Sequence, residues 1–391
     1  MHFLTGLLLL AAVPADAQLT FQDALARART SAPAVIAARL RIEEARGRVV
    51  GFISNPTLSV EAGPRRGGTT TTDYGVELGQ DFEPPARRRA RLDAARAGVT
   101  QEEERAREVE RDAIREVATT FLRAIEARER VEAATTGKQL ADEALRIAER
   151  RFKAGDVAQL DVNLARTAVA RADGEARVAA ATLAGQTAQL KVLLGIAEPV
   201  TLAGSLHDVL GTSDDLVTRA MERPYIRVLD AEIAEAEADQ RFAATLRWPD
   251  FGLRGSYRHE GSERIALGGV GLSLPIFNRG QGASAVAGAR LTRLHAEREA
   301  LRTAIEAEVR GALATYDALR AATAGYEHTV IPLIEENEKL ALESYDAGQI
   351  GLGDLLVVRR DALDARRTLI DQLIETRLAE VELRTRAGVF Q

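Results

Sequence analysis

No cysteine occurs in the 391 residues, which excludes disulfides, thiolate metal sites, cysteine nucleophiles and a lipid anchor attached through sulfur. Aromatic residues make up only 4% of the chain, too few to supply one large globular core. Basic excess is missing as well. Against 58 acidic residues stand 52 Lys and Arg, for a net charge of −6, so the basic stripe of a nucleic-acid binder is absent. The five histidines, His2, His207, His259, His295 and His328, are scattered and none stands at ligand spacing with a carboxylate; no metal site is expected. Nucleophile elbow, phosphate loop and dinucleotide fingerprint are all missing, so neither an enzyme nor a cofactor is expected. No apolar run beyond the start approaches the length of a membrane-spanning helix. What dominates is Ala, Leu, Glu and Arg, the composition of long packed helices.

Residues 1–17 read as a secretory signal. An apolar run from Leu7 to Val13 leads to Ala15-Asp16-Ala17, a small-x-small ending, although His2 stands where a basic start is usual. The alternative, a buried N-terminal helix, fits less well, because a polar helix start follows at once.

The strongest signal is an internal repeat, which precedes any choice of fold. Residues 151–166 read RFKAGDVAQLDVNLAR, and 193 positions later residues 344–359 read SYDAGQIGLGDLLVVR. The same offset relates Asn55-Pro56 to Trp248-Pro249. Two halves are expected, 18–194 and 214–391, joined by a linker at 195–213.

Each half opens with a helical pattern, residues 21–52 and 216–246, broken early by Pro33 or Pro224. The apolar period then switches to two. Leu58, Val60 and Ala62 alternate with polar residues, as do Tyr74, Val76, Leu78 and Phe82, around a Gly-Pro-Arg-Arg-Gly-Gly loop; this predicts a hairpin over 56–83. Phe251, Leu253 and Tyr257, then Val270, Leu272 and Leu274, predict a second over 249–276, with a bulge at Gly268-Gly269. Pro56, Pro249 and Pro275 mark the bends between strands and helices. Long helices are expected over 86–153 and 280–346, about 100 Å each. In the second, Leu301, Ile305, Val309, Ala312, Tyr316, Leu319, Thr323, Tyr326 and Val330 step by threes and fours as a coiled-coil seam, and Pro332 predicts a kink. Return helices over 160–194 and 354–386 follow the Ala-Gly turns at Gly155 and Gly348.

Four strands with one apolar face cannot close a membrane barrel, which needs at least about eight, so several copies must share one. Tyr74, Phe82, Trp248, Phe251 and Phe277 fall where aromatic girdles would lie. A soluble sandwich cap is the alternative. Arg87, Arg88, Arg89 and Arg91 read either as a solvated helix head or as a ring near the inner leaflet, and Arg65-Arg66 could face lipopolysaccharide.

The repeated Asn-Pro or Trp-Pro, strand, loop, strand, helix order, the two turn motifs and the run LSLPIFNRG at 272–280 resemble the TolC-type outer membrane factors, particularly the heavy-metal-efflux, CzcC-like branch. The resemblance covers the whole chain after the signal. It implies a mainly α fold with a small β part. Three chains would form a 12-stranded barrel in the outer membrane, continued by a coiled-coil α-barrel through the periplasm. It also implies docking to a periplasmic adaptor and a proton-driven, RND-type inner-membrane pump, and a passive exit duct for heavy-metal cations; drug efflux or type I secretion is the alternative cargo. An exported adaptor or coiled-coil scaffold is the rival of another class, but adaptors carry one helical hairpin rather than two equivalent halves. The resemblance places the periplasmic gate and adaptor-docking tip at Phe152, Gly155, Asp161, Tyr345, Gly348 and Asp354. Tyr345 and Asp161 occupy the places of a bonded pair that holds the tip shut, while Ile350 stands where the family has an arginine and Val357 where it has an acid.

Overall fold

The computed structural model describes residues 18–50, 54–65, 71–208 and 224–388. The expected signal segment, the tip of the first hairpin loop and the start expected for the second half, with the last residues of the linker, lie outside the described residues. The chain divides into two compact units. One comprises residues 1–36, 109–223 and 304–391, and the other 37–108 and 224–303.

In the first unit, β1 (Gln18–Leu19) leads to α1 (Phe21–Ser31). Thr20 and Asp23 cap α1 reciprocally: the Thr20 hydroxyl accepts from the Asp23 N–H, and the Asp23 carboxylate accepts from the Thr20 N–H. The second half of α3 (Pro85–Ala154) supplies the core. Ile114, Val117, Phe121 and Ile125, spaced by threes and fours, and Leu122 beside them pack with Leu190 and Leu194 of α4 (Gln159–Leu194) and with Leu206. Phe121 meets Phe21 edge to face, at 5.6 Å between ring centres. The region expected as a plain linker carries β4 (Thr201–Leu202), which pairs parallel with β1; two residues are too short to show a period.

The second long helix is divided. It runs as α6 (Gln281–Gly325), a π turn (Tyr326–Val330) and α7 (Ile331–Asp346). Proline would clash with the carbonyl four residues back and cannot donate to it; the wider turn just before Pro332 takes up this mismatch, with the Ile331 N–H donating to the Tyr326 carbonyl. Ile305, Val309, Tyr316 and Thr323 of the predicted seam are buried. Thr323 also hydrogen-bonds Thr376, at 2.8 Å, on α8 (Leu352–Arg386).

The second unit holds α2 from residue 37 onward (the whole helix is Pro33–Val49), α5 (Pro224–Thr245), the sheet and the adjoining parts of α3 and α6. Ile233 and Ala236 of α5 pack with Leu294 of α6, and Arg290 spans Glu235 (2.5 Å) and Asp239 (3.3 Å). The sheet contains β2 (Thr57–Arg65), β3 (Thr71–Phe82), β5 (Asp250–Glu260) and β6 (Glu263–Ser273), in that order and antiparallel throughout. The expected bulge at Gly268-Gly269 does not occur: the register is unbroken, with Gly268 opposite Gly255 and Gly269 opposite Arg254. β5 and β6 are joined by the two residues Gly261 and Ser262, with Gly261 at φ +63°.

Candidate functional site

Two places bring the sequence-predicted residues together. The first is the pair of helix-end turns. α3 and α7 end alike. The Gly155 N–H donates to the Phe152 carbonyl and the Asp156 N–H to the Arg151 carbonyl; the Gly348 N–H donates to Tyr345 and the Gln349 N–H to Ser344. Gly155 and Gly348 have φ of +85° and +73°, the left-handed conformation in which such a motif reverses a helix. Asp161 and Asp354 each accept the backbone N–H three residues before them, from Ala158 (3.3 Å) and Gly351 (3.2 Å), where a carboxylate also opposes the positive helix start.

These roles leave the expected Tyr345–Asp161 bond unmade within the chain. Asp161 caps its own helix, and Tyr345 is 1% exposed, with its hydroxyl buried and without a hydrogen-bond partner among the described residues. Tyr345 packs instead with Ala144, Ala148, Ala165, Leu352 and Leu355, and Ile350 lies against the same cluster. Its contact is with Arg151, whose guanidinium lies over the ring at 4.9 Å and donates to the Tyr345 carbonyl at 3.2 Å. Arg151 opens the first turn motif, yet sequence alone gave it no role, because its partner is 194 residues away. Phe152 is half-exposed, and Val357 is exposed.

The second place is the sheet. Directly paired residues share a face, and on one face the register collects Leu58 and Val60, Tyr74, Val76, Leu78 and Phe82, Phe251, Leu253 and Tyr257, and Val270 and Leu272. Most of these large apolar side chains are exposed. The other face carries Ser59, Glu61, Glu77, Asp81, Arg254, Ser256 and Arg258, with Ile265 and Leu267 as apolar exceptions. Glycine lets the arginines lie down on that face. A Cβ at Gly79 would stand 2.5 Å from Arg254 Nη1, and one at Gly75 would stand 3.2 Å from Arg258 Cγ. Arg254 reaches Asp81 at 3.2 Å.

The residues expected to form girdles fall at or beside the two ends of this sheet. Phe82 stacks on Phe251 (5.8 Å) at the end where the helices join, and Tyr74 packs on His259 (5.0 Å) toward the hairpin turn. His259 lies eight positions after Phe251, about 26 Å of strand. Trp248 and Phe277 sit just outside the strands, both exposed. Pro56 and Pro249 each immediately precede a strand. Pro275 is the centre of a three-residue turn closed by the Ile276 N–H on the Leu274 carbonyl, 2.9 Å.

At the helix end of the sheet, three chain junctions are locked together. Arg87 pairs with Asp250 and donates to the carbonyls of Trp248 (2.7 Å) and Thr245 (3.2 Å). Arg91 grips Glu83. Gly280, at φ +79°, backs onto the end of α5 so closely that a Cβ would stand 2.8 Å from the Ala243 carbonyl oxygen and from Leu246 Cβ. The run LSLPIFNRG therefore ends on glycine for a steric reason that appears only once the two segments meet.

Among the described residues no group of three or more His, Asp or Glu is placed to hold a metal ion. A sheet with one exposed apolar face and one polar face, joined to long helices, is the arrangement expected of a membrane channel component. The family model for outer membrane efflux proteins matches residues 24–196 and again 219–389, and the chain belongs to that family. It is 27% identical over 383 residues to the cobalt-zinc-cadmium resistance protein CzcC of Cupriavidus metallidurans, spanning 95% of this chain and 91% of that one. Its fold is that of the solved channel CusC (TM-score 0.79, 18% identity, 95% and 93% of the two chains covered). It is likewise similar to the CmeC outer membrane channel of Campylobacter jejuni (0.77, 17%, 94% and 85%) and to the open state of the MtrE outer membrane channel of Neisseria gonorrhoeae (0.75, 20%, 94% and 88%).

Proposed function

We propose that three copies of this chain join their sheets edge to edge into one 12-stranded barrel in the outer membrane and their long helices into a periplasmic tunnel, forming the exit duct of a tripartite efflux system. The observation that carries the reading is the sheet. Its apolar face is exposed, its opposite face is polar, and its outer strands β2 and β6 each have one pairing partner among the described residues. Closure with neighbouring copies satisfies both edges, and a bilayer satisfies the apolar face. The two repeats supply two strands and one helical hairpin each, so the trimer is built from six similar units.

Heavy-metal cations are the cargo that the similarity to CzcC supports, and the charge on the polar face agrees with it: Glu61, Asp73, Glu77, Asp81, Asp250, Glu260 and Glu263 against Arg65, Arg254 and Arg258. The duct performs no chemistry. An inner-membrane, RND-type pump supplies the energy and an adaptor at the helix-end turns links the two. The test is native mass spectrometry of the protein extracted from purified outer membranes, followed by conductance in planar bilayers. A trimer with a steady conductance is expected; a monodisperse monomer that inserts into no bilayer overturns the proposal.

A further inference from the structure

The helix end of the sheet carries a charge imbalance beside an uncovered apolar loop. All three carboxylates there are engaged: Asp250 by Arg87, Glu83 by Arg91 and Asp81 by Arg254. Four arginines remain, Arg88, Arg89, Arg247 and Arg279. All four are exposed, and none forms an ion pair with a described carboxylate. This excess of positive charge arises in a chain whose net charge is −6. Arg247 lies over the Trp248 ring, 5.7 Å from its centre, and Arg279 holds the Ile276 carbonyl at 3.3 Å. On the Arg279 segment Leu274, Ile276 and Phe277 are exposed, Phe277 at 91%. The close approach of Gly280 to α5 brings the Arg279 segment up to the Arg247 segment.

An aromatic and aliphatic cluster rimmed by unpaired cations suits a surface that is apolar on one side and anionic on the other. We infer that this patch is an interfacial anchor that binds the phosphate headgroups of anionic phospholipid, with Phe277 and Trp248 in the acyl boundary and Arg247 and Arg279 on the phosphates. The inference rests on the reading of the sheet as a membrane wall. It commits to phospholipid rather than lipopolysaccharide because the patch lies where the strands pass into the helices, on the periplasmic side, opposite the Gly261-Ser262 turn. The apolar patch is continuous with the apolar face of the sheet through Phe251 and Leu272.

Trp248 is the chain's single tryptophan, so its fluorescence reports on this patch alone. The trimer is reconstituted in phosphatidylcholine vesicles containing a minor fraction of either dibrominated phosphatidylglycerol or dibrominated phosphatidylcholine. Phosphatidylglycerol should quench Trp248 more strongly at equal fraction. In Arg247→Gln/Arg279→Gln that preference should fall about tenfold while quenching by phosphatidylcholine persists. Equal quenching by the two lipids in the wild type, or a preference unmoved by the double variant, overturns the inference, as does displacement of the brominated phosphatidylglycerol by lipopolysaccharide rather than by unlabelled phosphatidylglycerol. Conductance measured on the same preparation separates the two failures. Channels without lipid quenching sink the anchor alone, and the absence of both sinks the membrane reading.

Discussion

Replacing Arg151 by Met tests what joins the ends of the two long helices. Methionine keeps most of the stem volume and removes the guanidinium. The stack on Tyr345 contributes about 0.5–1 kcal/mol at a partly exposed position, and the charged hydrogen bond to the Tyr345 carbonyl contributes about 1.5 kcal/mol at the low end of its range. Together they come to about 2 kcal/mol per chain, roughly thirtyfold in the balance between joined and parted helix ends. Tyr345→Phe should behave differently. The hydroxyl is buried without a hydrogen-bond partner, so its removal deletes no bond and relieves an unpaired polar group, worth about 1–3 kcal/mol. In planar bilayers the Arg151→Met channel should conduct more, or stay open for longer, than wild type, while Tyr345→Phe matches wild type and melts no lower. The opposite pattern, a leaky Tyr345→Phe beside a silent Arg151→Met, would refute the reasoning. It would mean that in the assembled tip the hydroxyl leaves its pocket for a carboxylate such as Asp161.

Gly348→Val places a β-branched side chain at φ +73° and should cost about 1–2 kcal/mol, visible as a lower melting midpoint; an unchanged midpoint would show that the turn tolerates a Cβ. Gly280→Ala should lower the yield of folded trimer because of the 2.8 Å approach to Ala243 and Leu246, whereas Gly282→Ala, in open space, should be silent. Asp239 is held above the usual carboxylate range by burial and by Glu235, against the pull of Arg290. A folded pKa above the unfolded one means that stability falls as pH rises through that window; Asp239→Asn should therefore flatten the pH dependence of melting above the ordinary aspartate pKa, and an unaltered profile would count against it. Phe152→Ser should weaken cross-linking to the adaptor with little change in melting, since the ring is half-exposed; a large loss of stability would place it in the core instead.

The extent of the helices and strands was legible because period and punctuation agree. The apolar alternation of Leu58, Val60, Tyr74, Val76 and Leu78 is sustained over two strands, and glycine ends each long helix. The bulge expected at Gly268-Gly269 does not form, since both glycines sit in unbroken register with open space around them. Where glycine is required in this sheet, at Gly75 and Gly79, it leaves room for Arg258 and Arg254 to lie flat, a cross-strand requirement that no single strand reveals. The same holds for Gly280, Arg87 and Arg151, whose partners are distant in the chain. Pro332 was legible as a disturbance, but proline alone does not distinguish a kink from a π turn, since both relieve the same missing hydrogen bond.

The two helix-end turns share one backbone design and differ in side chains, and this difference carries the asymmetry of the site. Gly155 and Gly348 take the same conformation, and Asp161 and Asp354 make the same cap. At the offset of 193, however, Arg151 answers to Ser344 and Phe152 to Tyr345. Serine is too short to lie over an aromatic ring across the helix pair, so only one of the two possible stacks can form. Tyr345 is drawn under Arg151 and buried, while Phe152 is left 41% exposed. A pair of duplicated turns has thus been divided into one that is held from within the chain and one whose aromatic ring remains available to a partner.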